Sequence, residues 1–201
     1  MDKTLTYQKK IKEKENDVEE LDLSYQNLIS LPHLPPGLKV LDCSNNQLTI
    51  LPPLPSGLKV LRCFGNQLTS LPPLPPTLEK LSCENNQLTA LPPLPPTLKA
   101  LYCSPNQLTA LPSLPPTLKW LNCSSNQFTS LPLLPPTLKM LYYNVNKLHY
   151  KGKTIYEIRK EQWYELFMIN YVVSRMITKL GHGKETGSNF KWLENEILKR
   201  F

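Results

Sequence analysis

The side chains best suited to chemistry in this 201-residue sequence are five cysteines that recur every twenty residues. They are Cys43, Cys63, Cys83, Cys103 and Cys123. Thiols can bind zinc, form disulfides or act as nucleophiles. A zinc site needs close C-x-x-C pairs or histidine partners, and an odd number of thiols leaves one without a disulfide partner. The spacing therefore favours neither a metal site nor a disulfide framework.

The residues that replace cysteine at either end of this series indicate what the position requires. Leu23 stands twenty residues before Cys43, and Tyr143 stands twenty residues after Cys123. The position therefore selects a buried side chain rather than a sulfur atom, since buried cysteine behaves as a small hydrophobic residue. We predict five free, buried thiols that react slowly in the native state, as expected in a reducing intracellular compartment.

The three histidines offer no catalytic alternative. His33 lies in a proline-rich stretch, His149 follows the last repeat and His182 lies between two glycines. None of them has a metal-binding or nucleophile motif beside it. The sequence predicts no catalytic residue, no metal site and no cofactor, and it indicates a protein that is not an enzyme.

A repeat of twenty residues positions the cysteines. Each unit has the pattern L-x-x-L-x-C-x-x-N-x-L, followed by a threonine-containing link and by LPPLPP or a close variant. Leu41 and Cys43 alternate with Asp42 and Ser44, which is the periodicity of a short strand with two different faces. Units in register stack as a parallel sheet and bury their leucines as continuous columns. We predict that Asp42, Ser44 and their equivalents point outward, and we name the surface they form the concave face.

Prolines and asparagines occupy fixed positions in the rest of each repeat. All 21 prolines lie between Pro32 and Pro136, which excludes long α-helices from that stretch. In residues 71–77, four prolines predict a polyproline II return segment. One asparagine per repeat is predicted to join a ladder whose side-chain amides satisfy backbone groups where each strand turns. These asparagines are Asn46, Asn66, Asn86, Asn106, Asn126 and Asn146.

This repeat resembles the leucine-rich repeat family, whose pattern L-x-x-L-x-L-x-x-N/C-x-L matches residues 18–148. The units begin at Val18, Leu38, Leu58, Leu78, Leu98, Leu118 and Leu138. Their length and the strings LPPLPPTLK and NQLTALP are similar to the short repeats of bacterial type-III effectors and of large DNA viruses. The resemblance implies an α/β solenoid with a parallel sheet on its concave face and a polyproline II or irregular convex side. The effectors often carry a ubiquitin-ligase domain with a catalytic cysteine, and because no cysteine follows Cys123, that activity is not carried over.

The outward positions of the strands are the candidate binding site, because they vary from repeat to repeat. They change from acidic residues in the first repeats to aromatic residues in the last. The predicted partner-binding residues are Tyr102, Trp120, Met140, Tyr142, Arg62 and Phe64. The first four form an exposed aromatic patch of the kind enriched in binding hot spots, and the last two form a lesser cluster. The alternatives are that C-terminal helices fold over the patch or that it is solvated strand surface.

Lysines occupy the position just before the strands, except where Glu79 replaces one. They are Lys39, Lys59, Lys99, Lys119 and Lys139. Solvated lysines oppose pairing at strand edges, and the alternative is that this row attracts an acidic partner. The net charge of +7 is not gathered into a polybasic block, so no specific nucleic-acid partner is predicted.

The two ends of the chain depart from the repeat. Residues 1–17, rich in lysine and glutamate, are predicted to form a short helical or frayed cap. Beyond the repeats, Thr154 and Glu157 form a capping-box pattern, and a second helix is predicted after Ser188. We interpret residues 149–201 as an α-helical C-terminal cap. The apolar face of its first helix comprises Ile155, Ile158, Leu166, Ile169, Val173, Met176 and Leu180.

These features predict a non-enzymatic interaction scaffold that binds a protein partner on its concave face. One alternative is a host-directed effector or adaptor whose helical tail recruits a ubiquitin ligase or another enzyme, and another is a structural component of a particle. No secretory signal or transmembrane segment is found. The sequence therefore predicts a monomeric protein of the cytoplasm, either of its own cell or of a host cell.

Overall fold

The computed structural model describes residues 18–144, 146–148 and 152–179. The predicted N-terminal cap, residues 1–17, lies outside the described residues. So do the second helix predicted after Ser188 and the histidines His149 and His182. Two compact units divide between Ile155 and Tyr156, and each is treated by itself below.

The described part of the repeat array forms one parallel sheet of seven three-residue strands in chain order. The strands are β1 Glu20–Asp22, β2 Val40–Asp42, β3 Val60–Arg62, β4 Lys80–Ser82, β5 Ala100–Tyr102, β6 Trp120–Asn122 and β7 Met140–Tyr142. Each residue is in register with the residue twenty positions further on, as in the pairing of Leu41 with Leu61. Between these strands the described residues form neither helix nor strand. The predicted solenoid, with its parallel sheet and irregular opposite side, is confirmed.

Leucine columns form the core of the array. The central leucine of the inner strands, exemplified by Leu61 and Leu81, is fully buried, whereas Leu21 and Leu141 in the two end strands are only partly buried. Because adjacent strands lie about 4.8 Å apart, equivalent leucines contact one another along each column. Burying one leucine side chain stabilises the fold by about 1.5–3 kcal/mol, and a single coil cannot achieve that burial alone.

Threonine hydroxyls tie the return segments to the preceding coil. The Oγ1 atom of Thr77 lies 2.8 Å from the carbonyl oxygens of both Ser56 and Leu58, so its proton is shared between them. The same pair of bonds is made by Thr97, Thr117 and Thr137. Gly37 and Gly57 occupy this position in the earlier coils, so the hydroxyl tie is missing there. The sequence analysis did not anticipate this second ladder.

The predicted asparagine ladder is confirmed. The Nδ2 atom of Asn66 donates to the carbonyls of Cys43 at 3.0 Å and Cys63 at 3.1 Å, and its Oδ1 atom accepts from the Leu48 amide at 3.0 Å. One carboxamide thus satisfies groups of its own coil and of the preceding coil. Equivalent bonds are made by Asn46, Asn86, Asn106, Asn126 and Asn146.

The residue before the ladder asparagine often has a positive φ, which turns the chain out of the strand. This conformation occurs at Tyr25, Asn45, Gly65, Asn85 and Ser125. Glycine is needed at position 65, because a Cβ atom there would lie 2.5 Å from Asn45 Oδ1. The asparagine side chain of one coil therefore fills the space beside the next.

Beyond the array, Ile155–Lys179 forms helix α1. Thr154 directly precedes this helix and Glu157 lies in its first turn, as the capping-box pattern predicts. A carboxylate in the first turn interacts favourably with the positive end of the helix dipole. No helix in the described ranges combines the length and the apolar character needed to cross a membrane.

The apolar face predicted for α1 is only partly correct. Ile158 and Gln162, one turn apart, are buried, but Leu166 and Ile169 are exposed. Burial in the described part of the helix is thus concentrated near its beginning. The periodicity defined a face correctly at Ile158 and wrongly assumed that the same face stays covered further along.

We expect Asn66→Ala to lower the free energy of unfolding by about 1–3 kcal/mol, because the buried Leu48 amide and the Cys43 carbonyl would lose their shared partner. Urea unfolding followed by circular dichroism measures the loss. The matched control is Gln67→Ala at the exposed neighbouring position, which should change stability by less than about 0.5 kcal/mol. Equal losses in both variants would contradict a stabilising role for the ladder.

Candidate functional site

The concave face is formed by the residues on either side of each central leucine and by the residue after the cysteine position. Backbone groups along this face are used within the sheet: the Cys43 amide donates to the Arg62 carbonyl at 2.8 Å, and the Lys59 amide donates to the Lys39 carbonyl at 2.8 Å. Because the backbone is occupied, recognition on this face depends on side chains.

The predicted aromatic residues lie on the last three strands. Trp120 stands opposite Met140 in register, and Asn122 stands between Tyr102 and Tyr142. Trp120 is 38% exposed, and Met140 and Tyr142 are each 49% exposed. The Tyr142 hydroxyl donates a weak bond to the Met140 sulfur at 3.8 Å. The structure thus brings Trp120, Met140 and Tyr142 together as one exposed group, which we name the aromatic patch.

Tyr102 is less exposed and contacts a cation. The Nζ atom of Lys80 on β4 lies 5.4 Å from the centroid of the Tyr102 ring on β5, within range of a cation–π interaction. The two residues occupy adjacent strands, diagonal to each other across the register. The sequence analysis did not pair them, although the twenty-residue register contained the signal.

Arg62 and Phe64 lie apart from the aromatic patch. Arg62 stands opposite Asp42, and its Nη1 atom lies 3.9 Å from Asp42 Oδ2. Both Arg62 and Phe64 are partly exposed. Three strand spacings separate β3 from β6, roughly 14 Å. The six predicted residues therefore fall into two groups on one face.

Some outward positions are not exposed, and the prediction that Ser44 points into solvent is wrong. Ser44 is 1% exposed, and Ser82 and Ala100 are also buried. Ser82 stands beside Tyr102, and Ala100 stands beside Trp120, on the adjacent strands. Small side chains in these rows are covered by larger neighbours, so outward direction does not ensure exposure.

Glu84 occupies the middle of the concave face, in the position after Cys83. Burial raises the pKa of its carboxyl group above the ordinary value for glutamate. The Oε2 atom is buried and has no hydrogen-bond partner. Lys80 is close enough to favour the ionised form slightly, but that attraction is smaller than the effect of desolvation.

The prediction that the five cysteines are buried is confirmed. The Sγ atoms of Cys43 and Cys103 donate to the carbonyls of Arg62 and Asn122, each at 3.4 Å. Burial raises the pKa of Cys43 and of Cys123 to about 12, and it raises the pKa of the three thiols between them well above the ordinary value. Since the thiolate is the nucleophile and the metal ligand, these positions suit core packing rather than chemistry.

Within the described ranges, no three histidine, cysteine, aspartate or glutamate side chains are arranged to hold a metal ion. The lysine row lies where the chain enters the strands. Within this row, Lys99 Nζ lies 2.6 Å from Glu79 Oε2, and this hydrogen bond lowers the pKa of Glu79. The row therefore has one internal ion pair between exposed side chains.

Comparison with protein families matches residues 36–76 and 56–96 to the family described as Leucine Rich repeats (2 copies). No match was found among the curated proteins. The repeats of this chain are thus matched over their central part, where the consensus residues are most regular.

Solved structures of bacterial proteins resemble this chain over its repeats. YopM from Yersinia enterocolitica WA-314 is 42% identical with a TM-score of 0.69, over 73% of this chain and 33% of that protein. A Shigella effector LRR domain is 40% identical with a TM-score of 0.67, over 72% of this chain and 66% of that domain. YopM from Yersinia pestis, described as a leucine-rich effector protein, is 39% identical with a TM-score of 0.68, over 73% of this chain and 42% of that protein. The chain thus spans from a third to just under two thirds of their lengths.

We expect the five thiols to react with a thiol reagent roughly a hundredfold more slowly in the native protein than in urea, because buried thiols with raised pKa values contain little thiolate. Labelling kinetics followed by mass spectrometry report each cysteine separately. Rapid labelling of any of the five without denaturant would contradict the assignment of these residues to the core.

We expect Glu84→Gln to change how stability depends on pH. Because the pKa of Glu84 is raised on folding, its contribution is complete below the unfolded value near 4.5 and is lost as pH rises through the folded value. The variant should therefore gain stability relative to the natural chain between pH 4 and pH 7. Urea unfolding across that range measures the difference.

The control for that measurement is Glu79→Gln, where the sign is reversed. The pKa of Glu79 is lowered by Lys99, so its small contribution is present above the unfolded pKa and is lost as pH falls through the folded one. Glu79→Gln should lose a little stability at neutral pH relative to the natural chain. The same pH response in both variants would contradict the burial assigned to Glu84.

Proposed function

Because this chain is a leucine-rich repeat protein whose short repeats are similar to those of bacterial effectors, we propose that it is a non-enzymatic interaction module that binds a protein partner on its concave face. The observation that carries the proposal is the aromatic patch. Trp120, Met140 and Tyr142 are half-exposed on two adjacent strands whose backbone is already hydrogen-bonded. Aromatic side chains on a rigid support are typical anchors of protein interfaces.

The organisation of the repeat supports a binding role. The leucines, cysteines and asparagines are nearly constant because they hold the coils together, whereas the concave positions change in size and charge from strand to strand. Rigid side chains lose little conformational freedom when a partner binds, and this favours affinity. The related Shigella and Yersinia pestis proteins are described as effectors, which supports a role in contacts with other proteins.

A second candidate function is that of an effector or adaptor, whose tail recruits a ubiquitin ligase or another enzyme. Helix α1 favours it, because Tyr156, Tyr164, Leu166 and Ile169 are exposed apolar residues on one helix. Exposed apolar groups on a helix are suited to docking in a partner's groove. In this function, the concave face selects the substrate and the tail brings the enzyme.

The experiment uses the full chain and a Trp120→Ala/Tyr142→Ala variant as baits in cell lysate, with captured proteins quantified by mass spectrometry. We expect the variant to retain the natural thermal unfolding midpoint within a few degrees and to lose its partner by about tenfold or more, as for hot-spot residues. The matched control is Ile50→Ala/Leu133→Ala, which removes exposed apolar side chains outside the concave face. Equal capture by both variants would contradict the proposed site.

Two further outcomes separate the candidate functions. If Tyr164→Ala/Ile169→Ala removes a captured enzyme while the concave-face partner is retained, the adaptor function is supported. If no bait captures a specific protein, both functions fail, and a structural role in a particle becomes the better explanation.

A further inference from the structure

The concave face separates its charges from its apolar side chains along the direction of stacking. Its first two strands present Glu20, Asp22 and Asp42, which we name the acidic end. Its last two strands present the aromatic patch about 29 Å away, taking six strand spacings of about 4.8 Å each. A partner that covers the whole face therefore meets two different chemical environments.

The carboxylates of the acidic end are only partly neutralised. Asp42 lies 3.9 Å from Arg62, whereas within the described residues neither Glu20 nor Asp22 has a basic side chain within ion-pair distance. Glu20 and Asp22 are both exposed. The acidic end thus retains free negative charge that faces solvent.

Asp22 is held ready for a cation. Its Oδ1 atom accepts from the Ser24 amide at 2.9 Å and from the Ser24 hydroxyl at 2.7 Å, and these bonds lower the pKa of Asp22. On the same face, the Ser44 hydroxyl is buried without a hydrogen-bond partner, two residues after Asp42. The acidic end therefore combines an oriented, ionised carboxylate with an unsatisfied hydroxyl.

The middle of the face offers less free charge. Arg62 is engaged with Asp42, Lys80 lies over the Tyr102 ring, and Glu84 is largely buried. The strongest unmet interactions of the face therefore lie at its two ends, and they differ in kind. Electrostatic complementarity at one end and apolar contact at the other fix both the position and the direction of a bound segment.

We propose that the partner is held by one peptide segment that lies along the concave face across the strands, with basic residues over β1 and β2 and apolar residues over β6 and β7. This inference rests on the proposed function and specifies the chemistry of the partner. A helix covers about 29 Å with roughly nineteen residues at 1.5 Å each, and an extended chain does so with about nine residues at 3.3 Å each. The number of residues between the basic and apolar positions therefore reports the conformation of the bound segment.

The probe is a displayed library of random peptides of about 25 residues, selected on the immobilised full chain. We expect the selected peptides to carry lysine or arginine near one end and aromatic or aliphatic residues near the other, in a constant direction. The variant Glu20→Gln/Asp22→Asn removes the free charge, while the carboxamide introduced at position 22 keeps a side-chain oxygen that can accept from Ser24. It should weaken the selected peptides by about tenfold in low salt and by less in high salt.

Two controls keep the outcomes separate. Glu79→Gln neutralises a carboxylate of the lysine row, outside the concave face, and should leave peptide affinity unchanged. Trp120→Ala/Tyr142→Ala should weaken the same peptides independently of salt. Thermal unfolding of each variant verifies that it is folded.

Peptides that need Trp120 and Tyr142 but are unaffected by Glu20→Gln/Asp22→Asn would overturn this inference and leave the proposed function standing. Selected peptides without a basic end would overturn it equally. If no peptide depends on either end of the face, both this inference and the proposed function fail.

Discussion

One carboxamide per repeat links each coil to the coil before it, and the rest of the array depends on that link. The Asn66 side chain satisfies the Cys43 carbonyl and the Leu48 amide of the preceding coil while bonding within its own. These groups lie where the strand ends, and the proline-rich return segments have few amides to offer them. An insertion or deletion in a coil would move this amide away from its partners. The constant repeat length is therefore a consequence of hydrogen bonding as much as of leucine packing.

This arrangement places stability and recognition on different residues. Leucines, cysteines and ladder asparagines satisfy the core and the backbone, so the concave positions are released from structural duty. Equivalent positions hold Lys80, Ala100 and Trp120 on successive strands without any change in strand pairing. A surface of this kind can change its chemistry one residue at a time while its geometry is retained. That property suits a protein that recognises other proteins by shape and by the placement of charge.

The sequence was sufficient to predict whatever follows from the period. Register alone placed Trp120 opposite Met140 and Asp42 opposite Arg62, and the recurring cysteine position revealed a buried column. What depends on the size or rotamer of a neighbour was not predictable. Ser44 is covered although its position faces outward, and Lys80 reaches the Tyr102 ring through a side-chain conformation that no pattern encodes. The exposure of Ile169 shows the same limit in a helix, since periodicity defines a face and does not determine what covers it.

The threonine ladder gives the array a mechanical polarity. Hydroxyls at Thr77 and its later equivalents fasten each return segment to the coil before it, whereas Gly37 and Gly57 leave the earlier junctions without that fastening. A pulling force applied to both ends of the array therefore meets its least resistance among the first coils, which peel away while the later coils still hold. The acidic end of the concave face lies on those first coils and the aromatic patch on the last, so tension would detach the charged contacts of a bound partner before its apolar ones.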